Sequence, residues 1–165
     1  MKRSKQQLGA YSRRKGTAFE RQVALMFTEW TGLPCRRTPG SGSYGHEWGL
    51  AGDLMFHGEG SPNIMVELKR REGWTWPAIF TGKGPIFGWW TRLCREADEA
   101  PNKPNPVLIF KKNRGSIWVA TRPWNAVVSG GTLPIRRPRT PIIRLPSERM
   151  TICRATDIIT WKDTC

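Results

Sequence analysis

Phe19, Val23, Met26, Phe27 and Trp30 recur at helical spacing, and Gly32 and Pro34 close the run. Thr17 followed three residues later by Glu20 fits a capping box, so the pattern predicts a helix beginning at Thr17 with one face in a core. The period then shortens. Gly52-Asp-Leu-Met-Phe-His57 and Ile64-Met-Val-Glu-Leu-Lys69 flank a Gly-Glu-Gly-Ser-Pro-Asn turn, the pattern of a β-hairpin. Within the second strand Ile64, Val66 and Leu68 face one way, while Met65, Glu67 and Lys69 face the other. Trp74 and Trp76 have strand spacing just beyond Glu67 and Lys69, where they would border the active face. Helical spacing returns at Ile86, Trp89, Trp90 and Leu93. Val107–Phe110 and Ser116–Ala120 then flank a Lys111-Lys-Asn-Arg-Gly115 turn and predict another hairpin. The Pro- and Arg-rich stretch from Pro134 to Pro146 predicts extended chain, and Thr156–Trp161 a closing helix or strand. The elements predict one α/β domain over residues 16–165, a mixed sheet flanked by helices, behind a flexible arm of residues 1–15.

Charge narrows the class of partner. The chain has 165 residues, with 27 Lys and Arg against 13 Asp and Glu, a net +14. Met1–Lys15 holds six of the cations and no acid, and Arg136–Arg149 holds five Arg against one Glu. Clustered cations are the footprint of a nucleic-acid binder, because each neutralised phosphate releases counterions. A solvated basic surface or an anionic membrane contact is the blander alternative. The loop from Arg36 to His46 adds Gly- and Ser-rich backbone beside Arg36 and Arg37, a composition suited to a phosphate. No uncharged stretch is long and unbroken enough to span a bilayer, and no apolar run follows the basic N-terminus, so the expected compartment is the cytoplasm. Cys35, Cys94, Cys153 and Cys165 lie far apart, with only His46 and His57 beside them, which argues against structural zinc and for reduced thiols.

The hairpin pairing expected for residues 52–69 brings Asp53 opposite Glu67, within one residue. Two adjacent carboxylates repel unless a cation lies between them, and an all-oxygen site suits Mg²⁺. Lys69, on the same face, would orient the attacking water or stabilise charge developing on phosphorus, and Glu20 is the candidate third acid. Each residue has a plain reading too. Glu20 can be only the capping-box partner, Asp53 an ordinary turn residue, and Glu-x-Lys the wet face of a strand. His46 beside Glu47 would suit a His-based nuclease, although a single loop His is ordinarily just solvated. His57 either lines the far edge of the active face or caps its strand. Trp89 and Trp90 are either core or stacking platforms for bases.

Arg14-Lys15-Gly16-Thr17-x-x-Glu20-Arg21, Arg37 with Ser41-Gly42-Ser43, Asp53, and Val66-Glu67-Leu68-Lys69 together resemble the PD-(D/E)xK nuclease superfamily, and within it the archaeal-type Holliday-junction resolvases and their phage relatives. The resemblance covers about the first 70 residues, with Arg95-Glu-Ala97 and Pro106–Lys111 similar to a later helix and strand. It implies a restriction-endonuclease-like core. It also implies Mg²⁺, replaceable by Mn²⁺, held by Glu20, Asp53, Glu67 and the Leu68 carbonyl, with Lys69 as the catalytic lysine. Ser41 or Ser43 would support the catalytic site, and Arg13, Arg14, Lys15, Arg37, Arg70, Arg71 and Lys83 would contact DNA. Gly52 stands where the superfamily has Pro, and the segment from Tyr44 to Ala51 is longer than in compact resolvases. The implied activity is resolution of four-way junctions by a symmetric homodimer, in DNA recombination and repair, leaving a 3′-hydroxyl and a 5′-phosphate. The alternatives are a nicking, flap or restriction-like nuclease of the same superfamily, or a non-catalytic basic nucleic-acid-binding protein.

Overall fold

The computed structural model describes residues 5–39, 52–122, 143–145 and 150–156. Helix α1 (Lys5–Thr31) buries Phe19, Val23, Ala24, Phe27 and Trp30 and leaves Leu25 in solvent. Its end is closed locally: the Thr28 hydroxyl accepts from Cys35 N at 2.9 Å, and Gly32 takes φ +76° while its N–H donates to Thr28 O. The start is earlier than the capping box predicts. Residues 5–15 are helical, so the expected flexible arm is a helix over that length. Lys, Gln, Ala and Arg are good helix formers, and tertiary anchors at Ser12 and Lys15 hold this half in place. Thr17 and Glu20 therefore lie inside the helix.

The main sheet has five strands: β3 (Ile64–Arg70), β4 (Asn105–Lys111), β5 (Trp118–Thr121), β6 (Ile143–Leu145) and β7 (Met150–Arg154), in the order β3-β4-β5-β7-β6. Strands β3 and β4 are parallel, with Glu67 beside Leu108, and the remaining neighbours are antiparallel. The β4–β5 hairpin agrees with the expectation from sequence, and β6 is extended as the Pro- and Arg-rich stretch predicts. Helices α2 (Trp76–Phe80) and α3 (Pro85–Glu99) make the crossover from β3 to β4.

Strand β1 (Cys35–Arg37) pairs with β2 (Leu54–Phe56) in a separate antiparallel ribbon, Arg37 opposite Leu54. The predicted hairpin between the Asp53 and Glu67 strands is thus corrected: β2 joins β1, and the ladder partner of β3 is β4. The near-continuous apolar run of β3 is that of a strand covered on both faces, as parallel strands are. Val66 and Leu68 pack with α1, whereas Met65 packs with Trp74, Ile79, Trp90 and Leu93 from the α2–α3 side.

Trp74 and Trp76 do not continue β3. The strand ends at Arg70, Thr75 caps α2, and Pro77 suits the first turn of that helix. Trp74 is 4% exposed and meets Phe110 edge to face, and Trp76 stands against Trp118 in the same way. Trp90, at 1% exposed, is core rather than a base-stacking platform. Cys35, Cys94 and Cys153 are free thiols, and burial pushes Cys35 up to about 12 and Cys94 up to about 11, which keeps them unreactive. No helix among the described residues is long and apolar enough to cross a membrane.

Candidate active site

Residue Asp53 is held by three hydrogen bonds, two to the outer edge of β3 and one to Thr38 just after β1. Its N–H donates to Val66 O at 2.6 Å, its carbonyl accepts from Thr38 N at 2.9 Å, and its Oδ2 accepts from Leu68 N at 2.8 Å. The neighbouring Gly52 makes this approach possible. It has φ +90°, and a Cβ there would lie 2.7 Å from Val66 O and 2.9 Å from Val66 N. Proline, locked near φ −65°, cannot take that conformation, so glycine at the position of the superfamily's Pro has a local cause.

The even-numbered residues of β3 turn their backbone groups toward Asp53, because the odd-numbered ones face β4. Asn63 O accepts from Asn105 N, and Arg71 N donates to Lys111 O. The Leu68 carbonyl consequently shares the edge with Asp53. The side chains of Glu67 and Lys69 leave the sheet on the α3 side, and their head groups form an ion pair. Asp53 and Glu67 are therefore neighbours, as the sequence predicts, although the strand pairing that brings them together differs.

Charge accumulates at this edge. Burial, then Glu67, then Glu20 push the Asp53 carboxyl up to about 6, against opposing effects of the Leu68 N–H and Lys69. Glu20 comes from α1 and pairs with Arg37 at the end of β1. Arg92, on α3, donates through Nη2 to Glu67 Oε1 at 3.0 Å and lies 3.5 Å from Glu96 through Nε. Reading the sequence alone misses Arg92. Its only local signal is the i,i+4 spacing to Glu96, and the contact with Glu67 depends on how α3 packs across the sheet.

The carboxylates of Asp53 and Glu67 and the Leu68 carbonyl form an all-oxygen donor set suited to a hard divalent cation, with Glu20 within electrostatic reach of Asp53. Among the described residues, no three His, Cys, Asp or Glu are drawn together as a metal cluster. Instead the acids hold protein partners: Arg37 on Glu20, the Leu68 N–H on Asp53, and Lys69 with Arg92 on Glu67. The donor chemistry fits the ion, and gathering the donors round it requires those partners to yield.

The remaining candidates separate into groups. Lys15 and Arg70 meet on Asn113, and Arg71 reaches Ser12. Arg13 and Arg14 are exposed on α1, and Lys83 is exposed in the turn between α2 and α3. His57 is exposed at the end of β2, where its N–H donates to Pro34 O. Ser41, Ser43, His46 and Glu47 lie outside the described residues, as do Pro134–Ile142 and 157–161.

Residues 11–136 match the family described as "Phage putative PDDEXK endonuclease". Protein D14 of Escherichia phage T5 is 34% identical over 113 residues, covering 66% of this chain and 69% of that protein. No solved structure matches. The matched span contains Glu20, Asp53, Glu67, Lys69 and Arg92, the whole of the charged edge just described.

Proposed function

The chain belongs to this family of phage PDDEXK endonucleases, and we propose that it is a Mg²⁺-dependent enzyme that resolves four-way DNA junctions by paired phosphodiester hydrolysis. The observation that carries the catalytic part is Asp53 pinned across the edge of β3, beside Glu67 and Lys69. Asp53, Glu67 and the Leu68 carbonyl would hold the ion, with Glu20 completing the acidic set. When bound, Mg²⁺ or Mn²⁺ would supply Lewis-acid stabilisation of phosphoryl charge and a lowered pKa for water.

The chain's own groups do the rest. Lys69 orients the attacking water and faces the negative charge that grows on the non-bridging oxygens. Water oxygen bonds to phosphorus, the bond from phosphorus to O3′ breaks, and a proton ends on O3′, which gives a 3′-hydroxyl and a 5′-phosphate. Arg37, beside Glu20, lies at the mouth of the same edge and would steady the phosphate.

The junction substrate and the symmetric homodimer come from the resemblance to junction resolvases. A four-way junction presents two equivalent strands, and a symmetric homodimer would present two equivalent sites to them. A non-catalytic DNA-binding role draws on a different observation, that Glu20, Asp53 and Glu67 all hold protein partners.

The test is cleavage of end-labelled four-way junction, duplex, flap and single strand, with and without Mg²⁺, beside Glu67→Gln. Symmetric cuts in the junction that need both Mg²⁺ and Glu67 are expected, with binding retained by the variant. Cutting of flap or duplex instead would sink the junction assignment and keep the catalytic site. Tight binding with no cutting of any substrate would establish the non-catalytic role.

A further inference from the structure

Outside the acidic edge, the N-terminal half of α1, the end of β3 and the β4–β5 turn meet around Asn113. The Asn113 side-chain carbonyl accepts from Lys15 Nζ and from Arg70 Nε, each at 3.1 Å. Nearby, Arg71 Nη1 donates to Ser12 Oγ at 3.3 Å. Lys111 and Lys112 lie over the rings of Phe19 and Trp74, and Arg114 is exposed in the same turn. These six cations come from three separate elements.

Among the described residues, none of the six forms an ion pair with a carboxylate. Glu72, the acid nearest in sequence to Arg70 and Arg71, accepts the Asn113 backbone N–H at 2.6 Å. Burial and then Arg70 hold the Lys111 ammonium below its ordinary value, a sign that these charges feel one another. A surface kept only for solubility intersperses its signs. Here Lys15 and Arg70 meet on a neutral amide, and Glu72, on the backbone N–H of the same residue, is one acid among six cations, an excess whose repulsion an anionic ligand would relieve.

The placement relative to the acidic edge narrows the ligand. Arg70 directly follows Lys69 on β3 with its side chain on the opposite, α1 face, and Lys15 precedes Glu20 on α1 by five residues, about 7–8 Å along the helix. The cluster therefore lies close enough to the acidic edge to meet the same DNA backbone.

We propose that the cluster is a preformed seat for the phosphate backbone of the DNA arm leading away from the cleaved bond, with Asn113 as the neutral group that holds Lys15 and Arg70 in position. The proposal rests on the nuclease reading and adds to it a second site, one that reads backbone and no sequence. It also gives the ordered start of α1 a purpose, since a flexible arm would lose conformational entropy each time it met DNA.

Fluorescence-anisotropy titration of labelled duplex, without divalent metal and across a range of salt, tests it in the full-length Glu67→Gln protein. Asn113→Asp sets a carboxylate between Lys15 and Arg70. The urea midpoint should hold or rise, while DNA affinity falls about five-fold and the slope of log K against log salt drops by about one to two. A purely structural Asn113 would move the midpoint alone. Arg71→Gln, at an exposed position, should lower the slope by about one and decides the matter if Asn113→Asp fails to fold. Unchanged affinity and slope in the variants that fold would overturn the proposal while leaving Mg²⁺-dependent cleavage by the parent chain untouched. A parent that binds no DNA would overturn both.

Discussion

Replacing Asp53 by Asn should stabilise the metal-free protein. Among the described residues, Asp53 is the acid that folding places worst: its carboxyl rises from an ordinary 3.8 to about 6, first through burial and then through Glu67. A carboxyl with a raised folded value binds its proton more tightly when folded, so it weakens the fold once pH lies above both values, and the weakening disappears as pH falls through about 6 toward 3.8. The difference corresponds to about 3 kcal/mol at pH 8 and about half of that at pH 5. Asparagine keeps an oxygen for the Leu68 N–H and carries no charge at any pH. Urea unfolding in EDTA should therefore show the Asp53→Asn variant more stable by up to about 3 kcal/mol at pH 8, with the gap narrowing as pH is lowered to 5. Adding Mg²⁺ should close the gap from the other side, because an ion that binds only the folded parent stabilises it by mass action. A variant less stable than the parent at pH 8, or a gap independent of pH between 5 and 8, would refute the claim that Asp53 is a buried, repelled carboxylate.

Other substitutions probe the supports of the same edge. Gly52→Ala should cost about 2–4 kcal/mol in urea unfolding, because the added methyl meets Val66 backbone atoms at 2.7 and 2.9 Å and the φ of +90° is strained for alanine; a loss under about 1 kcal/mol would contradict that contact. Arg92→Ala should change stability by less than about 1 kcal/mol, since its side chain is half exposed, yet it should tighten Mn²⁺ binding several-fold in calorimetry by removing a cation that competes for Glu67. Weaker Mn²⁺ binding in that variant would show that Arg92 supports the acidic set instead of competing with it.

What could be read from sequence was whatever one element encodes by itself. The spacing of Phe19, Val23, Phe27 and Trp30 identified the buried face of α1, and the alternation in Ile64–Lys69 separated Val66 and Leu68 from Met65, Glu67 and Lys69, just as Val66 and Leu68 lie in one core and Met65 in the other. Features set by other elements were not legible. Alternation is the same in parallel and antiparallel strands, so the strand of Asp53 was matched to its nearest neighbour in sequence, although β4, some forty residues later, is the ladder partner of β3. Arg36 and Arg37 looked like the start of a loop because the three-residue strand Cys35–Arg37 has too little pattern to register. The early start of α1 was missed for a related reason: Lys5–Lys15 has helix-forming residues but almost no apolar periodicity, and its anchors are Asn113 and Arg71. Trp74 and Trp76 kept strand parity on paper, but Thr75 and Pro77 start a helix there.

The position of Asp53 joins the architecture to the chemistry. The outer strand of a sheet presents unpaired N–H and C=O groups that invite another chain, and folds blunt such edges in various ways. On β3 the blunting is done by Asp53: its N–H covers Val66 O and its carboxylate covers Leu68 N, with Gly52 permitting the approach. A neutral residue could close the edge equally well, and an amide at position 53 would do so without the electrostatic strain. That the edge is closed by an acid, beside a second acid and a lysine on the adjoining strand, makes little sense as protection alone. It makes sense if the same contact delivers a carboxylate to the place where a phosphate must be cut. The contact joins Asp53 to β3 through one backbone and one carboxylate hydrogen bond, so the register of Asp53 with Glu67 is set by the edge of the sheet itself.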